Sequence, residues 1–173
     1  MNELLEITKY ILPSVIVFFT AFYLVKKFLE EEDKKRRQEY LLKSREQMIP
    51  LRLQAYERLA LFLERISPEN LVMRVNKPGM TARQLQSELL STIRAEFEHN
   101  LAQQIYISPK AWEMIKAART NTIKSINIAA DNVDGNRPAI DLGKAILEDL
   151  MEQDKAQTSD ALIFLKKEIG ELF

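Results

Sequence analysis

The chain has 173 residues, with 25 basic and 25 acidic side chains, four glycines, one histidine and no cysteine. This charge balance excludes a global electrostatic field for nucleic acid, and the lack of thiols excludes disulfides and cysteine chemistry. It fits a reducing compartment, and the scarcity of glycine and of strand signals points to an all-α chain.

The first element is an uncharged run of fifteen residues, Ile11 to Val25, ended by Lys26 and Lys27. Fifteen residues span about 22 Å as a helix, against roughly 30 Å of hydrocarbon. The flanks supply the rest: Leu4, Leu5 and Ile7 before the run, Phe28 and Leu29 after it, with Lys9, Tyr10 and Tyr23 suited to an interface. A single transmembrane helix from about Leu4 to Leu29 is therefore expected, with Pro13 near its start, where membrane helices tolerate proline. A cleaved signal peptide fits less well. Glu3 and Glu6 stand where its basic region belongs, and no small-residue cleavage site follows the run. Residues 26–45 carry eight basic side chains, while only Lys9 precedes the run. The positive-inside rule then puts the N-terminus outside and the C-terminal bulk in the cytoplasm. The expected division is residues 1–29 as anchor, 30–49 as charged helical stalk and 50–173 as cytoplasmic helical domain.

The stalk has two readings. Glu30–Lys34, Glu31–Lys35, Glu32–Arg36, Asp33–Arg37 and Glu39–Lys43 are i,i+4 pairs with the acid first, the favourable order, at about 0.2–0.5 kcal/mol each. On this reading the stalk is a self-paired, solvated helix. On the other, Lys26, Lys27, Lys34, Lys35, Arg36 and Arg37 contact lipid head groups. The interleaved acids oppose nucleic acid. Leu42, Ile49, Tyr56 and Leu63 recur every seven residues, but Arg45 and Arg52 interrupt the neighbouring seam, so any coiled coil is weak.

Pro50 either starts a new helix or kinks the old one. The stripe Ile49, Leu53, Tyr56, Ala60 and Leu63, flanked by Leu59, Phe62 and Ile66, predicts a core-facing helix ending at Ser67-Pro68. A short helix follows over Pro68–Arg74, then a turn at Asn76-Lys77-Pro78-Gly79. Thr81 and Gln84 have capping-box spacing and open a helix to about Gln104, with Leu85, Leu89, Ile93, Phe97 and Leu101 on one face. Ser108-Pro109 starts another, with Trp112, Ile115, Ile123, Ile126 and Val133 inward, ended by Asp134-Gly135-Asn136. Helices over about Ala139–Glu152 and Ser159–Leu172 complete a compact bundle of five to six helices. Ile105 or Tyr106 is expected against Trp112.

Three charges stand out in this domain. Glu57, Arg58 and Glu64 have no oppositely charged residue at i±3 or i±4. Either they face water, or their partners lie on another helix or subunit; Glu96, Glu98 and His99 are candidate facing residues. The segments PLRLQAYERLALFLERISPENL (Pro50–Leu71) and EFEHNLAQQIYIS (Glu96–Ser108), with Trp112, resemble an uncharacterised family of Bacteroidota proteins. The likeness covers essentially the whole chain. It implies one N-terminal membrane helix and a cytoplasmic helical region, and it assigns no activity and no functional residues.

Catalytic patterns are missing. Glu96-x-x-His99 is half of a helical di-iron motif, and a single histidine cannot supply the other half. A hydrogen-bonded structural role for His99 is the simpler expectation. No glycine-rich phosphate loop and no nucleophile elbow is present, so no catalytic residue, metal or cofactor is assigned. The pattern points to a non-enzymatic, membrane-anchored adaptor or assembly protein with an unknown protein partner or a second copy of itself. The alternatives are an accessory subunit of a larger membrane complex, resembling in outline the peripheral stalk of a rotary ATP synthase, and a membrane-surface enzyme.

Overall fold

The computed structural model describes the backbone of residues 2–152 and 157–172, and the side chains of residues 14–43, 46–151 and 158–171. The described chain is all-helical, with six α-helices and no strand: α1 (Asn2–Ile66), α2 (Pro68–Val75), α3 (Ala82–Asn100), α4 (Pro109–Asp131), α5 (Ala139–Glu152) and α6 (Gln157–Leu172). It divides into two units, Met1–Ile49 and Pro50–Phe173.

In the first unit every described side chain from Ser14 to Lys43 is exposed. Val15 to Leu29 includes Phe18, Phe19, Phe22, Leu24, Val25 and Phe28, each more than half exposed. The expected span Leu4–Leu29 begins in residues whose side chains lie outside the described set, including Lys9, Tyr10 and Pro13. Among the described residues, no helix is long and apolar enough to cross a membrane. The expected set of five stalk ion pairs is corrected. Among the described residues of this stretch only Glu32–Arg36 closes, at 3.2 Å, with both side chains about half exposed or more. Solvated pairs gain little Coulomb energy and must immobilise two long side chains, so spacing alone does not close them.

Pro50 lies inside α1 rather than at a new start. A proline there gives up one intrahelical bond, the one to the carbonyl four residues back. In the second unit the part of α1 after Pro50 turns Ala55, Tyr56, Leu59, Phe62, Leu63 and Ile66 into the core. The expected stripe is thus rotated: Ile49 and Leu53 remain exposed, and Ala55 joins the buried face. The heptad series breaks accordingly, since Tyr56 and Leu63 are buried while Leu42 and Ile49 are exposed. A face at 3.6 residues per turn drifts away from any strict seven-residue repeat.

The rest of the bundle follows local signals closely. Ser67-Pro68 opens α2 with proline in its first turn. Gly79 adopts φ +84, which glycine tolerates best, and closes the turn before α3. Thr81 and Gln84 form the reciprocal capping box. Ser108 Oγ accepts from Ala111 N at 3.0 Å and caps α4. Leu85, Leu89 and Ile93 on α3, Ala111, Ile115, Ala118 and Ile126 on α4, Leu142 and Ile146 on α5, and Ala161 and Leu165 on α6 complete the core. Helix α4 packs on α3, α5 and α6, and α2 packs on α3 and α5. A Cβ on Gly143 would stand 3.2 Å from Val72 Cγ1, so glycine permits the close approach of α5 to α2. The loop before α5 pairs with the start of α3: Ala82 N donates to Arg137 O at 2.8 Å and Ala139 N to Met80 O at 3.0 Å.

Two boundaries differ from expectation. Helix α3 stops at Asn100 and tightens into a 3-10 segment, Leu101–Ile105, which leaves Leu101 and Ile105 exposed. Helix α4 stops at Asp131, so Val133 reaches the core from a loop. Trp112 stacks on Phe97, with ring centroids 5.4 Å apart, while Tyr106 is half-buried against the core and Ile105 is exposed.

Candidate functional site

Arg58, Leu61, Phe62 and Arg65 follow one another at i, i+3, i+4 and i+7, which puts them on one face of α1. Glu96, His99 and Asn100 share a face of α3 by the same rule. The two faces meet around a surface hollow of about 190 Å³ lined by these seven residues. Its geometry is held from beneath by aromatic rings: Phe62 meets Phe97 at 6.0 Å, and Phe97 stacks on Trp112. The Arg119 guanidinium lies 4.3 Å from the Phe97 centroid. Its Nε is buried with no hydrogen-bond partner among the described residues, so the ring face is its electrostatic contact.

Glu96 is the electrostatic hub. Its Oε1 accepts from Arg65 Nη2 at 2.8 Å and from Arg74 Nη1 at 3.1 Å. Arg74 Nη2 also donates to the Arg65 backbone carbonyl at 3.1 Å, which helps hold the Arg74 guanidinium over that carboxylate. Arg58 and His99 are exposed and have no hydrogen-bond or ion-pair partner among the described residues. The structure therefore brings together three of the six singled-out residues, Arg58, Glu96 and His99. Glu57 is exposed outside the hollow, and Glu64 lines a different cavity. Glu96 does face α1, but its partners are Arg65 and Arg74 rather than Glu57, Arg58 or Glu64. His99 is solvent-facing, not the hydrogen-bonded histidine expected, because it projects from the exposed end of α3.

A second polar cluster lies deeper. The Tyr56 hydroxyl donates to Glu168 Oε1, and Ser108 Oγ donates to Glu168 Oε2 at 2.7 Å. Arg52 Nε donates to Tyr106 O at 3.1 Å beside them. One carboxylate on α6 thus joins α1 to the capped start of α4. Burial, then the hydrogen bond and charge of Glu168, push the Tyr56 phenol up to about 12. Nothing local in the sequence marks this cluster: its members are separated by 52 and 60 residues, and only the tertiary fold joins them.

A larger cavity of about 440 Å³ is bordered by Leu63, Glu64, Ser67, Glu69, Asn70, Thr158 and Leu162, among others. No group of three His, Cys, Asp or Glu side chains capable of holding a metal occurs among the described residues. Glu96, the acidic half of the Glu-x-x-His spacing, already carries two guanidinia. In the first unit, Lys26, Lys27, Lys34, Lys35 and Arg37 are exposed without an ion pair among the described residues, and Arg36 is held by Glu32.

The sequence model of a family described as "Family of unknown function (DUF7935)" matches residues 2–172. No curated protein and no solved structure matches the chain.

Proposed function

The chain belongs to this family of unknown function, DUF7935, and we propose that it is a non-enzymatic, membrane-anchored adaptor or assembly protein. Its anchor is the N-terminal helix, placed in a bacterial inner membrane of the Bacteroidota lineage with the N-terminus outside. Its working part is the helical domain from Pro50 onward, held on the cytoplasmic side.

The observation that carries this reading is the exposure of the apolar run on every face of α1. Val15, Phe18, Phe19, Phe22, Leu24 and Val25 point in all directions from the helix axis, and none is packed by protein. An all-round apolar helix needs an apolar medium. The described part, Ser14 to Val25, spans about 18 Å, so the crossing also requires Leu4 to Pro13 before it and Phe28 and Leu29 after it. Lys26 and Lys27 then stand at the cytoplasmic interface. The polar clusters of the domain support an architectural role, because Tyr56 and Ser108 both donate to Glu168 and Ser108 also caps α4. Exposure of every described side chain from 14 to 43 also favours the stalk-like accessory subunit as a second reading.

Crosslinking in native membranes followed by mass spectrometry tests the proposal. A reproducible protein partner attached through residues of the helical domain is expected. A monomer with no partner would sink the adaptor reading, and extraction by alkaline carbonate without detergent would sink the anchor.

A further inference from the structure

We propose that the hollow between α1 and α3 receives a carboxylate side chain on an amphipathic helix of the partner protein, with Arg58 and His99 as its contacts. This rests on the adaptor reading above and names the chemistry of the partner.

Charge is the first argument. Arg58 and Arg65 line the hollow with a single carboxylate, Glu96, whose Oε1 is shared by Arg65 and Arg74. Arg58 is left over. Its planar guanidinium is suited to bidentate carboxylate binding. His99 offers a ring N–H in either protonation state. Glu57 and Glu98 are near in sequence, but neither lines the hollow.

Size and surroundings are the second argument. A volume of about 190 Å³ is too small for a whole cofactor and suits one carboxylate on a short stem. The cations are bordered by the apolar side chain of Leu61, which lines the hollow and is 56% exposed. A free anion would leave it wet. A helix carrying an acid one turn from leucine-like side chains covers both at once. The Glu96 clamp on Arg65 and Arg74 positions the floor before binding, which lowers the ordering cost.

The test uses the full chain in detergent micelles and a fluorescein-labelled helical peptide of about 14 residues, long enough to hold a helix when bound. The peptide carries leucines at i and i+4 with glutamates between them; its twin carries glutamine at each glutamate. Fluorescence anisotropy should show the glutamate peptide binding about 10-fold tighter than the twin, in line with loss of a close charge pair. Arg58→Ala should abolish that preference, His99→Ala should reduce it, and Lys116→Ala on α4 should leave it intact. Circular dichroism checks that each variant is folded. Equal affinity for the two peptides, or a preference that survives the Arg58→Ala/His99→Ala double change, would overturn the proposal. So would displacement of the peptide by phosphatidylglycerol vesicles, which would assign the hollow to lipid, or by a second copy of the chain. Native-membrane crosslinks that persist in Arg58→Ala would overturn the hollow while leaving the adaptor reading in place. Peptide preference without any native crosslink would sink the adaptor reading alone.

Discussion

Helix α1 has two lives in one element. From Ser14 to Lys43 every described side chain is exposed, and from Ala55 to Ile66 six apolar side chains are buried. Both stretches are helical, so helicity does not distinguish them; the partner of each face does. The charges teach the same lesson in reverse. In the first stretch, spacing supplies five possible pairs and one closes. In the second unit, Arg65, Arg74 and Glu96 have no such spacing, and they form the tighter cluster. Glu96 is only 15% exposed, which raises the worth of its pairs, whereas the stalk pairs compete with bulk water.

The contrast is broken most strongly at the proposed anchor, the exposed apolar run of α1. Phe18→Arg with Phe22→Arg should release the chain from carbonate-washed membranes, since each arginine near a membrane-helix centre opposes insertion by about 2.5–3.5 kcal/mol. Retention in the membrane fraction would mean that the exposed apolar run is not the anchor. On the buried side, Phe62→Ala should lower unfolding stability by about 3–5 kcal/mol, read from denaturant midpoints. Leu42→Ala on the exposed side of the same helix should change it by less than about 0.5 kcal/mol.

The Tyr56–Glu168 contact sharpens the comparison through pH. Tyr56 ionises near 10.0 when unfolded and is pushed up to about 12 when folded. The neutral phenol is the form the fold favours. Its contribution is therefore complete below pH 10 and is lost as pH rises through 12. That loss amounts to roughly 2–3 kcal/mol. Tyr56→Phe should flatten this part of the stability–pH curve and remove one late-titrating step from the tyrosinate absorbance. An unchanged curve would show that the phenol is not held as described. At the helix ends, Thr81→Ala should lower stability by about 1 kcal/mol through loss of the capping box, measured by thermal denaturation. The smallest effect belongs to the stalk, where Glu32→Ala should alter helicity by circular dichroism by no more than about 0.5 kcal/mol equivalent.

Local chemistry made much of the bundle legible. Thr81 with Gln84, Ser108 with Pro109, and the turn at Gly79 mark element starts because caps and positive φ are decided by residues within a few positions. The α5 boundaries, Ala139 and Glu152, were readable from periodicity for the same reason. Ends controlled by tertiary contact were less legible. Helix α3 yields to a 3-10 segment at Leu101, and no breaker residue announces it. The hollow was half legible. Counting unpartnered charges along the chain singled out Glu57, Arg58 and Glu64, of which only Arg58 lines the hollow; Glu96 and His99 were candidate facing residues and do line it. Arg65 and Arg74 escaped notice because their shared carboxylate lies 31 and 22 residues away.

The sequence by itself determined the helical class, the caps, the apolar N-terminal run and the abrupt basic stop at Lys26 and Lys27. These depend on near neighbours, where spacing and residue type act directly. Only the tertiary structure decided which face of α1 is buried, which arginines share Glu96, and how Tyr56 and Ser108 meet on Glu168. Those outcomes depend on desolvation and on geometry across tens of residues, and the same side chains left in water would have had little reason to pair.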